Sequence, residues 1–119
     1  MATTELWITS WLDNWALAQE EEGAGAWRSG LHEAVHGTSD HVDHEQARAV
    51  ERASAAVIQS SMRNADRVRM ALACALLGHV AVCRQLMKPS ATVSRHATEG
   101  KELLQAEIER MQNLQSREL

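Results

Sequence analysis

Apolar residues recur at helical spacing along most of the chain. Trp7, Ile8, Trp11, Leu12, Trp15 and Ala18 fall on one broad stripe, which predicts a helix over TTELWITSWLDNWALAQEEE. Thr3 or Thr4 can cap its start, and GAG (23–25) ends it. A short helix over AWRSGLHEAVH (26–36) follows. The segment EQARAVERASAAVIQSSM places Ala47, Val50, Ala53 (or Ser54), Val57 and Ile58 on a buried side. Asn64 can cap a further helix, ADRVRMALACALL, in which Val68, Leu72 (with Ala75) and Leu76 form the stripe. Met70, Cys74 and Leu77 widen that stripe, and Gly78 stops the helix. HVAVCRQLM then presents Val82, Cys83 and Leu86 on one face of two turns. In SATVSRHATEGKELLQAEIERMQ the stripe runs Val93, Ala97, Gly100, Leu104, Ile108, Met111. Gly100 inside a helix costs about 1 kcal/mol relative to alanine, so a close helix crossing is the expected reason for it.

Composition agrees with an all-α fold. The 119 residues include one proline, six glycines and no Tyr or Phe, while Ala, Leu, Glu, Gln, Arg and Met are plentiful. The length suits one small helical domain, 1–119. Within it, 1–44 forms an acidic, Trp-rich portion with a His-rich linker. Residues 45–119 form a portion ending in a helix-turn-helix and a long final helix. The longest apolar run, MALACALL (70–77), is far short of a membrane span, and MATTEL begins no leader pattern. Cys74 and Cys83 fit no CxxC motif and read as small core residues of a reduced, cytoplasmic protein.

Charge is unevenly placed. The net value is −4, but residues 1–51 hold ten acidic and two basic side chains, whereas 63–101 hold seven basic and two acidic ones. A local basic surface attracts phosphates whatever the sum, and the competing reading is a chance clustering of charges on solvated faces.

Two clusters have competing readings. The tryptophans Trp7, Trp11 and Trp15 can pack the core or form a partner face, since tryptophan is enriched at binding hot spots. His32 and His36, at i, i+4, with Asp40, His41, Asp43 and His44, have residue types that bind metals. They lack the cysteines of structural zinc motifs, and Asp43 with Gln46 makes a capping box. A solvated linker and cap is the preferred reading, with no metal and no cofactor. No GxSxG, HExxH, P-loop or dinucleotide fingerprint appears, so no enzyme is expected.

The segment around Pro89 has the spacing of a helix-turn-helix. Cys83 is the small residue of a short bracing helix and Leu86 closes it. Val93, seven residues on, is the inward anchor of the second helix. Ser90, Ala91, Ser94, Arg95 and Thr98 lie outward near its start, where a reading helix meets base edges. Arg84 and Lys88 lie on the brace and turn, where phosphate contacts arise. A kinked helical hairpin would share the same spacing.

VCRQLMKPSATVSR (82–95) resembles the brace, turn and recognition helix of region 4 of sigma factors. SATVSRHATEGKELLQAEIERM (90–111) is similar to the end of the Q-type phage antitermination proteins, and WLDNWALA (11–18) resembles their opening helix. The chain departs from the pattern at Met87, where a turn glycine is usual, at Pro89, where serine often caps, and at His96, usually apolar. The zinc-binding cysteines of some members are absent. The resemblance implies a factor of the host bacterial cytoplasm that binds double-stranded DNA at a late promoter. It would modify host RNA polymerase, with or without sigma factor, to read through terminators, with no membrane partner. By position it assigns Arg84, Lys88, Ser90, Ala91, Thr92, Ser94 and Arg95 to DNA. A small helical interaction module without DNA binding is the alternative.

Overall fold

The computed structural model describes residues 6–20 and 42–118, and within them every element is helical. The elements are α1 (8–20), α2 (His44–Ser60), α3 (Met62–Leu77), α4 (His79–Leu86) and α5 (Ser90–Glu118). The chain is a small all-α domain that ends in a helix-turn-helix and a long final helix. The expected helix over 26–36, Trp27, the Thr3/Thr4 cap, the GAG terminator and His32, His36, Asp40 and His41 lie outside the described residues.

The 29 residues of α5 span about 43 Å at 1.5 Å per residue, and the other helices pack along this rod. Its predicted stripe is its inner face. Val93, Leu104 and Ile108 are almost fully buried, with Ala97 and Gly100 between them. Two apolar clusters result. The larger joins Ile8, Leu12 and Trp15 of α1, Val50, Ala53 and Val57 of α2, Val68 and Ala71 of α3, and Leu104 and Ile108 of α5. The smaller joins Met70, Val82, Val93 and Ala97, with Ala73, Cys74 and Cys83 against them. It lies directly behind the helix-turn-helix.

α1 runs antiparallel to α5. Near its start Trp7 Nε1 donates to Glu109 Oε1 (3.3 Å), and the buried Gln105 Oε1 accepts from the Ile8 amide (3.3 Å). A side chain 97 residues away thus satisfies an otherwise orphaned first-turn donor. Asn14 holds the start of α2 from both sides. Its Oδ1 accepts from the Asp43 amide and its Nδ2 donates to the Asp43 carbonyl, each at 2.8 Å. Asp43 caps α2 as its spacing predicts, with Oδ1 accepting from the Gln46 amide at 3.0 Å. The reciprocal half of the capping box is replaced, because Asn14 takes the Asp43 amide.

Three local expectations are corrected. α3 is capped by Ser61, which accepts from the Asn64 amide at 3.1 Å, so Asn64 is a first-turn residue. Ser61 has extended backbone angles, which end α2 and start α3 at one residue. The apolar stripe of α3 also ends early: Leu76 and Leu77 are exposed where α3 runs beyond the core. Leu86 does not close the brace but is 46% exposed, because α5 first turns inward at Val93, which packs on Val82 and Met70.

Candidate nucleic-acid interface

Gly78 (φ 93°) ends α3 and begins α4, so the chain turns without an intervening loop. α4 lasts eight residues and ends at Met87, which is left-handed (φ 53°, ψ 43°). The Lys88 amide reaches back to the Cys83 carbonyl at 3.2 Å, the outer bond of a Schellman closure. Met87 therefore performs a turn that glycine usually performs. Left-handed geometry costs an ordinary L-residue about 1–2 kcal/mol. Pro89 stands in the N-cap place of α5, since its carbonyl accepts from the Val93 amide at 3.1 Å. The ring fixes φ, and its missing N–H takes nothing from the helix. Ser90 is the first residue of α5. Its hydroxyl lies 2.8 Å from His79 Nε2.

At about 100° per residue, α5 divides its first three turns into three sides. Val93, Ala97 and Gly100 face inward. Ala91, Arg95 and Thr98 lie outward and are exposed, with the exposed Ser94 at their edge. Thr92, His96 and Glu99 turn toward α3 and are half-buried. Of the seven expected DNA residues, the structure leaves Arg84, Lys88, Ser90, Ala91, Ser94 and Arg95 exposed on the brace, turn and outer side of α5. Thr92 sits partly covered on the flank.

The α3 side is a lock. A Cβ built on Gly100 would stand 2.0 Å from the Arg67 carbonyl oxygen and 3.0 Å from Ala71 Cβ, so α5 touches the α3 backbone there. The adjacent Glu99 accepts from Arg67 Nε at 2.8 Å, and Arg63 approaches it at 3.7 Å. The Arg67 hydrogen bond is the main reason the Glu99 carboxyl is held below its ordinary value, with the positive charge of Arg67 and Arg63 adding to it. His96 sits beside this pair with Nδ1 buried and unpartnered. Burial pushes its pKa down, and Arg67 and Arg95 add to the shift. Arg63 and Arg67 therefore serve α5 positioning. Among the described residues, Arg69, Arg84, Lys88, Arg95 and Lys101 have no carboxylate partner.

Helix ends add to the positive field. Gly78 gives α4 no side-chain cap, and Pro89 has no side-chain acceptor for α5. Neither helix carries an acid in its first turn. Two uncompensated positive helix ends meet where His79 touches Ser90. Sequence reading missed His79, because its partner lies across a turn whose path the sequence left open.

The three tryptophans pack to different depths. Trp15 is buried in the larger cluster. Trp7 and Trp11 are half-buried against it, with ring centroids 4.9 Å apart and planes tilted by 60°. Trp11 also borders a groove of about 570 Å³ between α2 and the far end of α5. Cys74 and Cys83 are both free and half-buried, and burial raises the Cys74 pKa. Among the described residues, no three metal-ligating side chains come together, and no helix is long and apolar enough to cross a membrane.

No protein-family model, curated protein or solved structure matches this chain.

Proposed function

We propose that the chain is a DNA-binding transcription factor in which α4 braces, residues 87–89 turn, and α5 reads the major groove. One observation carries this reading: the buried Met70–Val82–Val93–Ala97 cluster stands directly behind an exposed row of Ala91, Ser94, Arg95 and Thr98, with Arg84 and Lys88 free beside it. Short polar residues let the helix approach base edges, Arg95 can donate to guanine, and the basic flank meets phosphates. The resemblance of 82–95 and 90–111 to sigma region 4 and to Q-type antitermination proteins refines the proposal. The factor binds double-stranded DNA at a phage late promoter and modifies host RNA polymerase in the bacterial cytoplasm, so that terminators are read through. Its action is binding and remodelling, without bond chemistry.

A second reading, a helical interaction module without DNA binding, is favoured by the exposed Leu76, Leu77 and Val80 at the α3–α4 corner. Selection from random duplex DNA separates the two. The DNA reading expects an enriched site. It also expects the double variant Arg84→Ala/Lys88→Ala to reduce the salt slope of log K by about 2, at roughly 0.9 per lost phosphate contact. No enrichment, with a salt slope equal to that of the unchanged protein, supports the interaction module.

A further inference from the structure

A cleft of about 270 Å³ opens where α1, the end of α3, the start of α4 and α5 meet, on the flank of α5 away from the Arg67–Glu99 lock. Its apolar lining is Leu12, Ala75 and Ala97. Its two charged groups stand on different helices, Asp13 on α1 and Lys101 on α5. Among the described residues, neither forms an ion pair with the other or with any third group. Lys101 is half-buried, and its positive charge acts on the Cys74 thiol in the same cleft. The hydroxyls of Ser94 and Thr98 and the imidazole of His79 complete the polar rim.

Opposite charges that share a cleft without pairing are complementary to a molecule carrying both charges. The volume falls just below the range of drug-sized ligand sites, roughly 300 to 1,000 Å³, which suits a smaller molecule. The apolar lining can accept only a short aliphatic body. We infer that this cleft binds a small zwitterion of the α-amino-acid class. Lys101 takes the carboxylate, Asp13 takes the ammonium, and Leu12, Ala75 and Ala97 take the side chain. A simple anion is disfavoured by Asp13, and a simple amine by Lys101.

The test uses the full chain and no DNA, so its failure is separate from failure of the DNA reading. L-Valine is titrated by calorimetry and by thermal shift at neutral pH, beside isovalerate (carboxylate only) and isobutylamine (amine only). The other nineteen amino acids are screened at one concentration. The inference expects saturable binding and a rise in Tm with an aliphatic amino acid. Isovalerate and isobutylamine should each bind at least tenfold more weakly. Lys101→Met and Asp13→Asn should each weaken binding at least tenfold. Both positions lie outside the apolar clusters, so the unliganded Tm of each variant should stay near that of the unchanged protein. Ala75→Leu, which adds bulk to the apolar lining, should abolish binding. No response to any amino acid, equal binding by isovalerate or isobutylamine, or undiminished binding in both charge variants would overturn the assignment.

Discussion

Replacing Gly100 with alanine tests the α3–α5 crossing that poses the reading helix. The new Cβ would lie 2.0 Å from the Arg67 carbonyl oxygen and 2.6 Å from its carbon, and both are backbone atoms. Ordinary contact begins at 3.4 Å, so the helices must separate by about 1.4 Å, and no rotamer change can relieve them. Overpacking costs about 1–3 kcal/mol, and a backbone clash belongs at the upper end. Alanine returns about 1 kcal/mol of helix propensity. The net expectation is a loss of about 2 kcal/mol, a Tm drop of roughly 8 °C at about 4 °C per kcal/mol. Urea unfolding followed by circular dichroism measures it. Ala106→Gly, at an exposed position of the same helix, is the control and should lose about 1 kcal/mol by propensity alone. If Gly100→Ala instead stabilised the protein by about 1 kcal/mol, as an open helix site would, the close crossing would be wrong.

Met87→Gly should stabilise the fold by about 1 kcal/mol in urea titrations, since Met87 is left-handed and 90% exposed and so loses little packing. Asn14→Ala removes both bonds to the Asp43 backbone and should cost about 1–3 kcal/mol, measured the same way. His96 should make stability fall as pH drops below 6.5. Its folded pKa is lowered, so the unfolded chain binds the proton first, and its contribution is fully present only above the unfolded value. The His96→Asn variant should show a flatter loss of urea midpoint between pH 7.5 and 5.5. Glu99 acts in a lower window: its Arg67-supported contribution should be lost only as pH falls below 4.5.

Helical periodicity made much of this architecture legible. The α5 stripe, the Asp43 cap, the Gly78 stop and the need for a small residue at position 100 all follow from local pattern. Leu76, Leu77 and Leu86 show its limit, because periodicity tells which side of a helix is apolar but not whether another element covers it. Ser61 and Asn64 can both cap, and only the extended backbone at Ser61 decides between them. The Asn14–Asp43, Gln105–Ile8 and His79–Ser90 contacts join residues that the sequence separates and only the fold brings together. In the candidate interface, the outward row was readable from the 100° step. The commitment of Arg63 and Arg67 to Glu99 was not, since a charge count treats every cation alike.

The most direct test of the proposed function is the affinity of Arg95→Ala for a duplex site selected by the unchanged protein, at matched salt and beside a scrambled duplex. Arg95 is exposed on the outer side of α5 and supports no packing, so the variant should keep its fold by circular dichroism. Loss of about 1–3 kcal/mol of affinity for the selected site, with little change on the scrambled one, is the expected result. Equal affinity of the two proteins for the selected site would contradict the assignment of α5 as the reading helix.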